Sequence, residues 1–243
     1  MQEFRMNVLV IVPTYNEREN IRQIATAVRV HGYDLLIVDD GSPDGTGEIA
    51  DELSRSDSGI HVLHRTAKQG LGPAYTAGFA HALELGAEII CEMDADFSHD
   101  PNDLPRLVAA VEHGADLAIG SRYVDGGGTE GWPWHRKMLS KGGNAYAALM
   151  LGLHVNDATA GFRAFRDTTI RKVDPQACQA SGYGFQIEMA WRTERIGLEI
   201  IEVPIIFKDR VYGESKMNRS IAIEAIVLIT KWGFARLLGR SKI

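Results

Sequence analysis

The sequence predicts an α/β fold in which a mostly parallel sheet is flanked on both faces by helices. Three observations carry that expectation. Apolar runs alternate with amphipathic segments through the first half of the chain, and 243 residues with 45% hydrophobic content suffice for a substantial core. Polar, glycine-bearing motifs fall directly after the apolar runs, where an open parallel sheet gathers its ligands.

Taken in order, a strand at 7–12 (NVLVIV) is followed by a helix at 17–29, and a strand at 33–38 (YDLLIV) by a helix at 44–54. A strand at 60–64 (IHVLH) leads to a helix at 71–85, and a strand at 87–93 (AEIICEM) to a helix at 101–113. That last helix has the plainest start, with Asp100 as N-cap, Pro101 at its first position and Asp103 in its first turn. A strand at 116–120 closes the alternation, and the later run EVPIIFKD (202–209) is again strand-like.

The net charge of −6 argues against a general nucleic-acid binder, although clustered arginines can still hold a phosphorylated ligand locally. Cys91 and Cys178 are the only cysteines, and one lies inside an apolar strand, which argues against a disulfide scaffold or a cysteine metal site and fits a reducing cytosol. The N-terminal stretch has an early Glu and an apolar run too short for a secretion signal. The first loop, PTYNERE, lacks the G-x-G-x-x-G glycines, so the ordinary dinucleotide reading fails where it should be strongest.

Two acidic clusters stand at strand ends. In VDDGSPDGT, turn chemistry accounts for Gly41 to Gly45, whereas Asp39 and Asp40 are placed to accept hydrogen bonds from a base or ribose edge. In MDADFSHDP, Asp94 and Asp96 are two apart, so extended backbone would send both carboxylates to one face. Such a pair repels unless a positive group sits between them. A hard divalent cation shared with substrate phosphates meets that need with one or two protein carboxylates. His99 and His135 are read as surface or hydrogen-bonded residues rather than ligands.

The stretches PTYNERENI, VDDGSPDGTGEIA, GLGPAYTAGF, MDADFSHDP, GSRYVDGG, AGFRAFR, GYGFQIEM and FKDRVYGESKM, in this order, resemble the polyprenyl-phosphate (dolichyl-phosphate) mannose synthases of glycosyltransferase family 2, over roughly residues 7 to 230. The resemblance implies a GT-A fold, Rossmann-like; residues 1–217 are read as its catalytic domain and 218–243, from their own apolar pattern, as a C-terminal amphipathic helix. It implies inverting transfer of mannose from GDP-mannose to a polyprenyl phosphate, with Mg²⁺ or Mn²⁺. By motif matching, Pro13, Tyr15, Glu17, Val38 and Asp40 contact the guanosine part, and Asp94, Ala95 and Asp96 lie at the sugar diphosphate. Asp96 is then the principal metal ligand, with Asp94 and Ser98 beside it. Arg122 serves both donor and acceptor phosphates, Arg136 and Ser140 stand on the acceptor side, and Arg210 and Lys216 close over the diphosphate.

The acceptor phosphate is already largely anionic near neutral pH, its second pKa being about 6, so the chemistry asks for positioning rather than a strong base. Two polar, Gly-bearing loops, 124–131 and 210–217, are expected to act as lids. For Trp132 and Trp134 three places stay open: an acceptor loop, the core, or a bilayer interface. The late apolar segment 221–238 is too interrupted by charge to span a bilayer, and Ile221, Ala225, Leu228, Ile229 and Trp232 can share one face of an interfacial helix, with packing on the core as the competing reading. Segment 138–153 is a second candidate for membrane contact. Together these place the chain on the cytoplasmic face of a membrane, held there with a membrane-embedded partner. Two other functions remain open: transfer of glucose or another sugar on the same scaffold, and a nucleotide-sugar-binding subunit without turnover.

Overall fold

The computed structural model describes residues 6–209 and 219–238. Strand and helix alternate through β1 (Val8–Thr14), α1 (Ile21–Arg29), β2 (Asp34–Asp39), α2 (Thr46–Ser56), β3 (Ile60–His64), α3 (Leu71–Glu84), β4 (Ile89–Glu92), α4 (Leu104–Glu112) and β5 (Leu117–Ser121). Then come β6 (Gly128–Thr129), α5 (Trp134–Leu151), β7 (Arg163–Arg166), α6 (Asp167–Val173), α7 (Tyr183–Arg195), β8 (Ile200–Pro204), β9 (Ile206–Phe207) and α8 (Arg219–Leu237).

Seven strands form one sheet in the order β3-β2-β1-β4-β7-β5-β8, and only β7 runs antiparallel to its neighbours. Because side chains alternate across a strand, Val8, Val10 and Val12 join the core on one face while Leu9 and Ile11 join the core on the other. Burial on both faces is why the β1 sequence is an unbroken apolar run. The chain leaves β1 for β2 on one side and returns to β4 on the other, so a crevice opens beyond the carboxyl ends of β1 and β4. β7 begins at that same end, with Arg163 paired in register to Glu92.

Several expected boundaries move, each for a local reason. The first helix starts at Ile21 rather than at residue 17, because the Glu17 amide donates to the Thr46 hydroxyl and the Glu17 carbonyl accepts from Asn20 and Ile21 in a turn. The second starts at Thr46, where Asp44 accepts from both the amide and hydroxyl of Thr46 at 3.0 and 2.6 Å. Residues 101–103 form a 3-10 turn before α4, with the Asp100 carboxylate capping the Asn102 amide as expected. The predicted strand 87–93 shortens to Ile89–Glu92. Asp94 and Asp96 therefore do not share a face by strand alternation; they sit in a bend whose Phe97 has a φ of 59°.

The loop 124–131 is partly structured: β6 pairs in parallel with β9, and the Glu130 amide donates to the Phe207 carbonyl at 2.8 Å. Gly127 is obligatory there, since a Cβ would lie 2.6 Å from the Ser121 carbonyl oxygen. The other expected lid, 210–217 with Arg210 and Lys216, lies outside the described residues.

The long last helix packs into the protein by the side expected to meet lipid. Ala225, Ile229 and Trp232 are buried in the core, Leu228 packs against it, and the Trp232 ring stacks on Trp191 at 5.6 Å. Ile223, Ile226, Val227, Phe234 and Leu237 are exposed instead, so α8 is apolar on both sides rather than amphipathic. No helix among the described residues is long and apolar enough to cross a membrane.

Candidate active site

At the ends of β1 and β2 the turn chemistry organises a polar shelf. Asp39 is consumed by the turn itself, accepting from the Thr14 hydroxyl at 3.2 Å and from the Ser42 amide and hydroxyl at 3.1 and 2.5 Å. Asp40, one residue on, pairs with Arg65 at 2.5 Å, and Arg65 also donates to Gln69. Burial pushes the Asp40 carboxyl above its ordinary range, against the pull of Arg65. Arg65 was missed in the sequence; its signal is its place directly after the strand that ends at His64. Pro13 lies in β1, Lys68 sits over the Tyr15 ring at 4.4 Å, and Glu17 accepts from Asn20 at 2.9 Å. The Val38 side chain is fully buried, so only its backbone can face a ligand.

Beyond β4 the acidic bend is built from within. The Asp96 carboxylate accepts from the Ser98 amide at 3.0 Å, and the Asp94 amide donates to His99 Nδ1 at 3.2 Å. His99 is no surface residue: its ring stacks on Phe162 at 4.9 Å and meets the Phe207 ring edge-on at 5.3 Å. Burial pulls its imidazole down to about 4, so it is neutral and accepts the Asp94 amide through Nδ1. His135, by contrast, is exposed.

Ala95 and Asp96 are buried and Asp94 is half-buried. The Ser98 hydroxyl is buried without a hydrogen-bond partner, as expected of an oxygen awaiting a ligand. Few protein oxygens at a bend suit a hard cation that completes its shell with phosphate oxygens and water. Among the described residues no cluster of three or more Asp, Glu, His or Cys forms a self-sufficient metal cage. The donor set therefore fits a divalent ion bound together with a diphosphate.

Behind the bend lies a buried polar group that sequence reasoning missed. Glu92, Tyr75, Arg163 and Gln186 are all essentially inaccessible. Burial pushes Glu92 up to about 8 and Arg163 down to about 10. The Arg163 guanidinium donates to the carbonyls of Ala158, Ala160 and Gln186 at 2.8, 2.8 and 2.9 Å.

The other wall of the crevice follows β5. Arg122 is gripped by Asp157 and Thr159, and the rings of Tyr123, Trp132 and Phe207 lie 5.2 to 5.6 Å from its guanidinium carbon. Arg136 lies over the same Trp132 ring at 4.0 Å and pairs with Asp209 at 3.1 Å. Ser140 accepts from the Tyr123 hydroxyl at 2.7 Å. The two tryptophans separate: Trp132 is buried at this wall, whereas Trp134 is 73% exposed. Arg122, Arg136 and Ser140 are thus assembled around Trp132 and Tyr123, and the Phe207 ring joins this group to the acidic bend, lying against both His99 and Arg122.

An acidic bend and two arginines gathered at the switch point of a parallel sheet have the chemistry to hold a diphosphate with a cation and a second anion beside it. Solved structures of similar fold hold ligands of that kind. Glucosyl-3-phosphoglycerate synthase from Mycobacterium tuberculosis, solved with Mn²⁺, UDP and glucosyl-3-phosphoglycerate, superposes with a TM-score of 0.63 at 21% identity over 97% of this chain and 80% of that one. A mannosyltransferase from Pyrobaculum calidifontis, in complex with GDP-Man and Mn²⁺, gives 0.61 at 17% identity over 99% and 66%. The fold is GT-A.

Residues 9–174 match the family model for glycosyl transferase family 2. The chain is 52% identical to the undecaprenyl-phosphate mannosyltransferase of Micrococcus luteus over 95% of both chains, and 50% identical to the polyprenol monophosphomannose synthase of Mycolicibacterium smegmatis over 96% of this chain and 89% of that one. It belongs to glycosyl transferase family 2, within its group of polyprenyl-phosphate mannosyltransferases.

Proposed function

We propose that this chain transfers mannose from GDP-mannose to the phosphate of a polyprenyl phosphate, with inversion, at a membrane surface on its cytoplasmic side. The observation that carries the reading is the near end-to-end likeness, about half identical, to two enzymes named for that transfer. The site supports it. Guanosine is assigned to the shelf of Pro13, Tyr15, Glu17, Val38, Asp40 and Arg65, and the diphosphate to the bend of Asp94, Ala95 and Asp96. Mg²⁺ or Mn²⁺ is assigned to Asp96, with Asp94 and Ser98 beside it; when bound, such an ion neutralises charge growing on the departing diphosphate.

The protein's own part is positioning. An acceptor phosphate oxygen must approach the anomeric carbon from the side opposite the leaving group, so both anions are held in line although they repel. Arg122, Arg136 and Ser140 are the acceptor side of that arrangement. The exposed apolar residues of α5 and α8 are suited to a lipid surface, which is where the acceptor resides. A membrane-embedded partner protein belongs to the same proposal, as does contact of Arg210 and Lys216 with the donor diphosphate.

The test is purified chain with a short polyprenyl phosphate and either GDP-mannose or UDP-glucose, with Mg²⁺, Mn²⁺ or EDTA. Mannolipid formed only with GDP-mannose and abolished by EDTA is expected. Glucolipid as the main product would overturn the sugar assignment, and donor binding without any transfer would leave a binding subunit.

A further inference from the structure

Arg122 does not stand at the crevice as a loose cation. Its backbone amide and Nε donate to Asp157 Oδ2 at 3.0 and 2.7 Å, and its Nη2 donates to Asp157 Oδ1 at 2.5 Å and to Thr159 Oγ1 at 2.7 Å. Asp157 is fully buried and Arg122 nearly so. The carboxylate is held in turn by its own loop: the Asp157 amide donates to Glu202 Oε1 at 2.9 Å, and Asn156 donates twice to Glu202 Oε2 at 2.8 Å. On the other side Asn144, from α5, donates to Thr159 Oγ1 at 3.1 Å.

A buried Arg–Asp pair is a poor way to gain stability, because desolvating two charges offsets most of their attraction. A bidentate pair does fix the plane of a guanidinium. We propose that Asp157 is a positioning residue for the transfer reaction, acting through Arg122: it sets the direction in which Arg122 meets phosphate and tempers the positive charge Arg122 presents. Glu202 supports it by fixing the Asp157 backbone. The inference rests on the mannosyl-transfer reading.

The two effects separate kinetically. Asp157→Asn keeps the size of the side chain but removes its charge, leaving Arg122 more positive and less well aimed. The acceptor KM is expected to stay level or fall, while kcat falls about 100-fold, the scale of loss for an ångström of misplacement. A purely structural defect would lower the active fraction, and apparent kcat with it at unchanged KM, so turnover is counted per folded molecule, where such a defect leaves kcat at the wild-type value. The decisive experiment is a double-mutant cycle of Asp157→Asn and Arg122→Ala on kcat per folded molecule, at a temperature where all four proteins are folded, with wild-type transfer as control. If Asp157 works through Arg122, adding Asp157→Asn to Arg122→Ala costs little further activity. Equal fractional losses in both backgrounds, or full activity of Asp157→Asn alone, would overturn the proposal. Should Asp157→Asn fail to fold, Glu202→Gln enters the same cycle with the same two outcomes. Absence of transfer by the wild type removes the reaction itself, a result distinct from an active wild type with an unimpaired variant.

Discussion

Asp96 and His99 sit three positions apart in one bend, yet burial and partners assign them opposite electrical roles. Asp96 accepts from the Ser98 amide, while His99 is neutral because burial pulls it down to about 4. Replacing Asp96 by Asn removes charge without changing size, so Asp96→Asn is expected to lose at least about 100-fold in turnover at saturating Mn²⁺ with little change in melting temperature. Near-normal turnover would remove Asp96 from the metal site. For His99 the unfolded chain takes up a proton near pH 6.5 that the folded protein refuses until about 4. Stability is therefore complete above pH 6.5 and is lost as pH falls through that window, by at most roughly 3 kcal/mol. Melting curves at pH 7, 5.5 and 4.5 should show His99→Gln losing less on acidification than the wild type; parallel losses would show that other groups govern the acid limb. Arg122→Ala is expected to lower stability as well as transfer, since it strands the buried Asp157 charge, a change that typically costs about 3–5 kcal/mol.

The loop after β5 and the helix α8 carry the largest revisions. The Gly-rich sequence within 124–131 leads one to expect a lid, and β6 is paired to β9 there through Gly128 donating to Ile205 at 2.9 Å and Glu130 donating to Phe207 at 2.8 Å. Hydrogen exchange on the ligand-free protein should accordingly find the amides of Gly128 and Glu130 slower than those of an open loop, and exchange at the unprotected rate would contradict the pairing. In α8, the apolar spacing at 225, 228, 229 and 232 marks the core face, with the Trp191–Trp232 stack at its end. Trp232→Ala is expected to destabilise by about 3–5 kcal/mol, as loss of a buried tryptophan does, whereas Phe234→Ser, at 57% exposure, should leave chemical denaturation within about 0.5 kcal/mol of wild type. Equal effects would mean that the two faces are not distinct.

Taken whole, the protein gathers its chemistry at the carboxyl end of one sheet and lays two parallel helices beside it. Tyr146 meets Thr230, Met150 lies against Gly233 and Arg236 donates to Met150, so α5 and α8 run side by side in the same direction. Their outer sides expose Met138, Leu139 and Leu149 from α5 and Ile223, Ile226, Val227, Phe234 and Leu237 from α8. Liposomes with anionic lipid should sediment the wild-type chain, and the doubly substituted Leu139→Ser, Phe234→Ser protein should remain in solution with its fold intact. Sedimentation of both alike would take these helices out of the membrane proposal.

The strand-helix alternation, the acidic bend after β4 and the family motifs were legible in the sequence because each is a local pattern: apolar runs, turn residues and short spacings report on neighbours along the chain. Short β7 was not, since four residues reading RAFR carry no clear period and owe their strand to pairing on both edges with β4 and β5. Nor was the partner of Arg65, that of Arg122, or the neutrality of His99. An apolar face on α8 was visible, but whether it met lipid or core was fixed only by what α5 and α7 placed against it. Carboxylate Asp157 lies 35 positions from Arg122, and a bond over that separation leaves no trace in local spacing. Charge state and direction at the site depend on burial and on contacts between distant segments, and those exist only once the sheet has brought the segments together.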